Sequence, residues 1–191
     1  MNKFLTSFFS VVVACVTASS VHAQEIKGDA FAGEKINAMC VGCHGIVGYH
    51  TGFPEVHRVP MISGQSAKYI VAALNAYKKG ERKHASMRGV AANLSEKDIA
   101  DLAAYYSDNG PRRPEPEKAA PGSAKAQELL TRGGCTSCHG DSFSKPVDPS
   151  YPKIAGQHAD YLYVALKAYK TEGVPQIGRA NAIMGGVAKQ F

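Results

Sequence analysis

The chain has 191 residues, no tryptophan and a formal net charge of +6 at pH 7. Its length fits one medium domain or two small ones, and its low aromatic content argues against a β-sandwich, whose strands favour aromatic and β-branched side chains. We therefore expect an all-α protein, and if the chain is duplicated, each half has only a small apolar core.

The N-terminal residues have the pattern of a secretory signal. Lys3 precedes an apolar stretch, and small residues follow it up to Ala23. An uncleaved membrane anchor is a weaker alternative, because Thr and Ser residues interrupt the end of the stretch. A lipoprotein site at Cys15 is weaker too, because a better cleavage site follows it. We expect cleavage after Ala23 and a periplasmic mature protein.

The remaining chain has helical signals in both halves. Two predicted helices precede cysteine motifs, and two more carry matched tyrosines and alanines on one face. A further helix opens with Ser95 and Asp98 in the pattern of a capping box. The predicted helical ranges are 29–39, 65–79, 96–107, 123–132 and 159–171.

The chain is a tandem duplication, because three blocks occur twice in the same order. They are Cys40-Val41-Gly42-Cys43-His44-Gly45 with Cys135-Thr136-Ser137-Cys138-His139-Gly140, Pro60-Met61-Ile62-Ser63-Gly64-Gln65 with Pro152-Lys153-Ile154-Ala155-Gly156-Gln157, and Met87-Arg88-Gly89-Val90-Ala91 with Met184-Gly185-Gly186-Val187-Ala188. A proline-rich stretch between the copies indicates an extended linker. The predicted organisation is a signal peptide at 1–23, a first domain at 24–108, a linker at 109–122 and a second domain at 123–191.

Each copy contains C-x-x-C-H, the attachment signature of c-type haem. In this motif two thiols add to the haem vinyl groups and the histidine ligates the iron from one face. Two disulfides, a thioredoxin-like pair or a shared zinc site are alternatives, but none of them requires a histidine directly after the second cysteine. The pattern predicts two covalently bound haem c groups, attached through Cys40, Cys43, Cys135 and Cys138 and ligated by His44 and His139.

The second axial ligand of each iron is predicted from the duplication. Only Met87 and Met184 occupy the same place in both copies, so methionine is the expected ligand. Histidines without a counterpart in the second copy are expected at the surface, namely His50, His57 and His84.

Other side chains are expected to support the haem sites. The carbonyls of Pro60 and Pro152 are candidate acceptors for the second ring nitrogen of each motif histidine, although each proline could equally just start a loop. Four matched tyrosines are expected to pack, with their hydroxyls as candidates to reach a haem carboxylate or the other domain. They are Tyr69, Tyr77, Tyr161 and Tyr169. A basic surface is expected, either to dock an acidic partner or as an ordinary solvated face, at Lys68, Lys78, Lys79, Arg82, Lys83 and Arg88.

These blocks together resemble the dihaem cytochrome c4 family over residues 28–191. The resemblance rests on CVGCHG, PMISGQ, YIVAALNAYKKGER, the Met87 segment and LSEKDIADLAAYY, then on CTSCHG, PKIAGQ and the Met184 segment. It implies two tandem class I cytochrome c folds joined by the linker, with haems that face one another across a domain interface. By position it implies His44 and His139 as proximal ligands and Met87 and Met184 as distal ligands.

The expected function is electron transfer and not catalysis. His/Met ligation fills both axial positions of the iron and leaves no place for a substrate. The expected partners are redox proteins, such as a quinol-oxidising complex and a terminal oxidase, with no nucleic acid; peripheral association with a membrane stays open. The alternatives are a dihaem peroxidase, which needs one open iron, and the cytochrome subunit of a dehydrogenase.

The end of the second copy departs from the family pattern. The resemblance implies a final helix like 96–107, but only seven residues follow Met184. We expect either a fragment or a more open second haem pocket, with apolar surface left bare around Ala126, Leu129 and Leu130.

Overall fold

The computed structural model describes residues 26–108, here called the first repeat, and residues 122–191, here called the second repeat. The predicted signal peptide with Cys15, and residues 109–121 of the predicted linker, lie outside the described residues. The helices are α1 (Ala30–Ile36), α2 (Ala38–His44), α3 (Ala67–Lys79), α4 (Ala85–Ala92), α5 (Glu96–Asp108), α6 (Ala124–Arg132), α7 (Cys135–His139), α8 (Ala159–Lys170) and α9 (Ala182–Ala188). The strands are β1 (His50–Thr51), β2 (His57–Arg58), β3 (Arg82–Lys83) and β4 (Gly178–Arg179).

Helices dominate both repeats, which confirms the predicted fold class. The strands are only two residues long each, and β1 pairs with β2 inside the first repeat. The pair β3–β4 instead crosses between the repeats, with Arg82 opposite Arg179 and Lys83 opposite Gly178. The two repeats are therefore joined by backbone pairing. Within the described residues, no helix is long and apolar enough to cross a membrane.

The core of the first repeat lies where α5 packs against α1 and α3. α1 begins after Asp29, whose carboxylate accepts hydrogen bonds from backbone N–H groups of the first turn. α5 buries Ile99 and Leu102 almost completely. Gly33 allows α1 to approach α5 closely, because a Cβ atom at this position would lie 2.2 Å from the carbonyl oxygen of Asp101.

The second repeat has no counterpart of α5 among its described residues. α6 begins after Ser123, whose hydroxyl accepts a hydrogen bond from the Ala126 N–H at 3.2 Å. Ala126, Leu129 and Leu130 are partly buried and line a cavity between the repeats. The prediction that they form bare outer surface is wrong, because α6 turns this apolar face inward.

The C-terminal residue covers the end of α6. The Phe191 ring lies against Gly133, and the guanidinium carbon of Arg132 stacks 4.4 Å from the ring centroid. The Lys170 ammonium group donates to the Phe191 backbone oxygen. These contacts connect α6 with α8 at this end of the second repeat.

The predicted helices are confirmed with local differences. The capping box forms at α5, where the Ser95 N–H donates to the Asp98 carboxylate at 2.9 Å and the Asp98 N–H donates to the Ser95 hydroxyl at 3.1 Å. The predicted helix 29–39 breaks at Asn37, and α2 begins there and contains the cysteine motif. The Met87 and Met184 segments form α4 and α9, which were not predicted because their glycines weaken the helical signal.

Candidate functional site

A cavity of about 1140 Å³ lies between the two repeats. This volume exceeds the range of about 300–1,000 Å³ that is usual for one small ligand. Apolar side chains of both repeats form much of its wall, including Ile70, Leu74, Val90, Val164 and Val187. The cavity therefore has room for more than one flat apolar group.

The motif cysteines lie on short helices at this cavity. Cys40 and Cys43 are three residues apart on α2, so their thiols share one face of the helix. Cys135 lines the cavity from α7, whereas Cys138 is partly buried and lies outside the lining. All four are unpaired thiols, and the described residues contain no cluster of three or more His, Cys, Asp or Glu side chains that could hold a metal ion. The disulfide and shared zinc alternatives therefore have no support.

The thiols also differ from those of a redox-active dithiol. Burial raises the pKa of the Cys40 thiol, and it raises the pKa of the Cys135 thiol as well. A thioredoxin-like pair depends on one thiol whose pKa is lowered. The raised pKa of these two thiols therefore argues against that alternative.

Each motif histidine is held by the carbonyl predicted for it. His44 Nδ1 donates to the Pro60 oxygen at 2.7 Å, and His139 Nδ1 donates to the Pro152 oxygen at 2.9 Å. Because a carbonyl can only accept, Nδ1 carries the proton and Nε2 keeps its lone pair. Burial lowers the pKa of His44 despite its hydrogen bond to Pro60, which favours the neutral imidazole that binds metal. Both histidines line the cavity.

The two matched methionines occupy equivalent positions in equivalent helices. Met87 is the third residue of α4 and Met184 is the third residue of α9, and both line the cavity. The Asn181 side chain fixes the start of α9 by accepting a hydrogen bond from the Met184 N–H at 2.9 Å. Met61 also lines the cavity, but its counterpart in the second repeat is Lys153.

The other histidines of the first repeat are not all at the surface. His50 is exposed as predicted. His57 is only 3 % exposed, so its prediction is wrong: its ring stacks on Tyr161, with ring centroids 6.3 Å apart, because β2 packs against α8. His84 is half-buried and lies 3.2 Å through Nε2 from the Phe53 oxygen.

Two arginines at the repeat interface have no carboxylate partner among the described residues. Arg82 and Arg179 face each other across the β3–β4 ladder. Arg82 donates to the hydroxyl of Tyr69 at 3.2 Å and to that of Tyr161 at 3.4 Å, and Arg179 donates to Tyr161 at 3.0 Å. The Arg82 Nε atom is buried without a hydrogen-bond partner.

This arginine pair corrects one sequence prediction and extends another. Arg82 lies at the interface and not on the expected basic surface, and Lys83 donates to the Val174 oxygen of the other repeat at 3.0 Å. The Tyr161 hydroxyl reaches the other repeat, as one alternative for the tyrosines proposed. Burial raises the pKa of Tyr161, but the charges of Arg179 and Arg82 outweigh it and lower the pKa to about 8.

Before its covalent attachment as haem c, haem combines a flat apolar ring, two vinyl groups, an iron and two carboxylates. The residues present fit each part. The apolar wall suits the ring, the three motif thiols that line the cavity suit the vinyl groups, and the histidine and methionine side chains suit the iron. The unpartnered Arg82 Nε and the two interface cations suit the carboxylates. Fold and site together define a dihaem c-type cytochrome, a protein of electron transfer.

Comparison with known proteins identifies the family. The cytochrome c family model matches residues 30–108 and 123–191. Cytochrome c4 of Azotobacter vinelandii is 31% identical, with all of this chain and 92% of that protein covered. The chain belongs to the cytochrome c4 family.

Two further relatives give structural and functional context. The crystal structure of reduced recombinant cytochrome c4 from Pseudomonas stutzeri is 32% identical and has a TM-score of 0.60, covering 86% of this chain and 91% of that chain. A protein of Thiomonas intermedia (strain K12) named thiosulfate dehydrogenase electron acceptor is 32% identical over 141 residues, which are 70% of this chain and 63% of that protein.

Proposed function

We propose that this protein is a periplasmic carrier that passes electrons between respiratory proteins through two His/Met-ligated haems. Four residues hold each haem: Cys40, Cys43, His44 and Met87 in the first repeat, and Cys135, Cys138, His139 and Met184 in the second. The observation that carries the proposal is the matched bond from each histidine Nδ1 to a proline carbonyl, which reserves Nε2 for the iron.

The side chains of the protein orient each haem and set its surroundings. Haem, when bound, supplies a one-electron iron couple whose potential depends on its axial ligands, its burial and nearby charge. The proline carbonyls fix the rotation of His44 and His139. The apolar wall of the cavity limits water, and the Arg82–Arg179 pair would balance the haem carboxylates. His44 with Met87, and His139 with Met184, would supply two ligands to each iron and leave no place for a substrate, which favours a carrier over a peroxidase.

The proposed partners are a quinol-oxidising complex as donor and a terminal oxidase as acceptor. Exposed lysines and an arginine of the first repeat support docking to an acidic protein. They are Lys68, Lys78, Lys79 and Arg88. The periplasmic location rests on the signal pattern of residues 1–23.

A dehydrogenase is a second candidate for the electron donor. This proposal rests on the relative from Thiomonas intermedia, whose name describes an electron acceptor of thiosulfate dehydrogenase. Reduction of the purified protein by a thiosulfate dehydrogenase, compared with reduction by a quinol-oxidising complex, distinguishes the two donors.

The distal ligands are tested by substitution. In Met87→Ala the first haem stays attached through its thioether bonds, but its midpoint potential falls and its iron binds added ligands, because the methionine sulfur is lost. Met184→Ala does the same to the second haem. The measurements are a pyridine haemochrome assay for two haems per chain, potentiometric titration and visible spectra with added imidazole.

Met61→Leu is the matched control, since Met61 lines the same cavity without a matched methionine in the other repeat. It is expected to leave both potentials and both low-spin spectra unchanged. Unchanged potentials in Met87→Ala, together with a loss of the low-spin spectrum in Met61→Leu, would assign the ligand to the wrong methionine.

A further inference from the structure

One peptide group links the proximal histidine of the first repeat to the second repeat. The Pro60 oxygen accepts the hydrogen bond from His44 Nδ1 at 2.7 Å. The N–H of the same peptide group belongs to Met61 and donates to Gln157 Oε1 at 3.1 Å. Because a trans peptide group directs its C=O and N–H to opposite sides, the histidine and the glutamine hold it from two directions.

The same arrangement occurs in the opposite direction. The Pro152 oxygen accepts from His139 Nδ1 at 2.9 Å, and the N–H of that peptide group, which belongs to Lys153, donates to Gln65 Oε1 at 2.9 Å. Each glutamine therefore lies in one repeat and binds the peptide group that orients the histidine of the other repeat.

Each glutamine is fixed by three hydrogen bonds. Gln65 Nε2 donates to the Lys153 oxygen at 3.0 Å, and Gln157 Nε2 donates to the Met61 oxygen at 2.9 Å. Each Oε1 also accepts from the N–H of the residue after its own glutamine, at 3.0 Å for Gln65 and 3.1 Å for Gln157. A side-chain amide offers, on two atoms of one planar group, both the donor and the acceptor that this pairing uses.

We propose that Gln65 and Gln157 are reciprocal positioning residues through which each repeat sets the reduction potential of the haem in the other. The proposal rests on the proposed function, since it takes His44 and His139 as iron ligands. We call the four glutamine-to-backbone hydrogen bonds between repeats the glutamine clamp.

The physical link runs through the polarity of the peptide group. An N–H that donates to a glutamine polarises its peptide group and makes the carbonyl a stronger acceptor. A stronger acceptor makes the hydrogen-bonded histidine a more basic ligand. A more basic ligand favours the oxidised iron, so an intact clamp lowers the potential of each haem.

The test is a pair of leucine substitutions with potentials measured for each haem. Gln157→Leu is expected to raise the midpoint potential of the first-repeat haem, and Gln65→Leu that of the second-repeat haem. The expected shift corresponds to a change of up to about tenfold in the reduction equilibrium, about 59 mV for one electron. NMR signals of the axial methionine methyl groups, assigned by their loss in Met87→Ala and Met184→Ala, identify each haem.

Two further variants separate positioning from loosened packing. Gln127→Leu, at an exposed position of α6, is the matched control and is expected to shift neither potential. Gln157→Glu keeps an acceptor and adds negative charge, so it is expected to lower the potential of the first-repeat haem. If Gln157 had a purely structural role, Gln157→Leu and Gln157→Glu would shift the midpoint potential of the first-repeat haem in the same direction.

The proposal requires that each glutamine substitution shift the potential of the haem in the opposite repeat. A shift confined to the haem of the substituted repeat, or no shift in either haem, overturns the clamp. The spectrum of the unsubstituted holoprotein is recorded first: if it lacks His/Met-ligated haems, the proposed function itself fails. If that spectrum is present and the crossed shift is absent, only the clamp fails.

Discussion

Arg82 and Arg179 have positive charges that no described carboxylate balances. Their planar groups stack on tyrosine rings, with the Arg82 guanidinium carbon 4.7 Å from the Tyr77 centroid and that of Arg179 5.3 Å from the Tyr169 centroid. A buried cation is costly unless an anion accompanies it. The haem carboxylates are the anions that the proposed function brings to this interface.

The sequence contains a signal for this pair. Arg82 and Arg179 lie at equal distances before Met87 and Met184, so they belong to the matched third block. Their half-buried position at the interface could not be predicted, because it depends on the β3–β4 ladder between the repeats. Attachment cysteines and proximal histidines, by contrast, are specified by a contiguous motif that needs no tertiary information.

Removal of the Arg179 charge is expected to lower the haem potentials. In Arg179→Gln the oxidised iron, which has the greater positive charge, loses a repulsive neighbour. We expect a fall that corresponds to about a tenfold change in the reduction equilibrium, about 59 mV. Potentiometric titration of the holoprotein measures it.

Arg88→Gln serves as the control for this substitution, because Arg88 is exposed on α4. It removes the same formal charge at a solvated position, where screening by water and salt weakens its effect. Arg179→Lys keeps the positive charge, so its haem potentials should fall less than those of Arg179→Gln. Equal shifts in Arg88→Gln and Arg179→Gln would mean that net charge, and not the interface position, controls the potential.

The two N-terminal helices of the repeats have the same origin but different neighbours. Gly33 is the fourth residue of α1, and the fourth residue of α6 is Gln127. The glycine allows close contact with α5, whereas an exposed glutamine at the matching position is not suited to such contact. The difference between the repeats is therefore present within the helices themselves.

Gly33→Ala is expected to destabilise the first repeat. The added methyl group would lie 2.2 Å from the Asp101 oxygen, which forces α1 and α5 apart. Overpacking of this kind costs about 1–3 kcal/mol. The free energy of unfolding, measured by denaturant titration and followed at the first haem, gives the effect.

Gly89→Ala in α4 is the control, since outside its own helical turn and chain neighbours no atom would lie within 4 Å of the added methyl group. It should be neutral or stabilising, because alanine favours a helix more than glycine does. If Gly33→Ala were equally harmless, the close approach of α1 and α5 would not be a constraint on the fold.

Local patterns predicted most helices, but not the way elements meet. Apolar spacing and capping residues specify α3, α5 and α8 because those signals lie within one segment. α4 and α9 are short and rich in glycine, so their helical form depends on packing against neighbours, such as α3 and α8. Two-residue strands such as β3 and β4 are too short for any alternation to show.

At the scale of the whole molecule, the interface joins equivalent parts of the two repeats. Arg82 meets its counterpart Arg179, and each clamp glutamine meets the segment that precedes the other. Duplication of one unit makes such a symmetric contact available. It places both proximal histidines one peptide group away from the opposite repeat. The glutamine clamp therefore connects docking of the repeats with the histidines that are the proposed iron ligands.

An ion pair outside this symmetry adds a pH-dependent contribution to docking. Arg58 of the first repeat binds the Asp160 carboxylate at 3.0 Å, and a second pair joins Lys167 to Glu55 at 2.7 Å. The hydrogen bond from Arg58 holds the pKa of Asp160 well below its ordinary value. Since this pKa is lower in the folded state than in the unfolded state, the pair stabilises docking fully above that ordinary value and loses its effect as the pH falls below it.

Asp160→Asn is expected to weaken docking at neutral pH and to remove this acid dependence. The reporter is hydrogen exchange at the Ala180 amide, which donates to the Glu81 oxygen of the other repeat at 2.7 Å. Protection in the unsubstituted protein should exceed that in Asp160→Asn by a constant factor above about pH 5. The two should converge as the pH approaches and passes below about 3.9, the ordinary pKa of Asp.

Asp98→Asn is the control, because Asp98 also has a lowered pKa but caps α5 within the first repeat. Its substitution should leave Ala180 protection unchanged. A constant difference between the unsubstituted protein and Asp160→Asn at every pH would mean that the Asp160 charge does not contribute to docking.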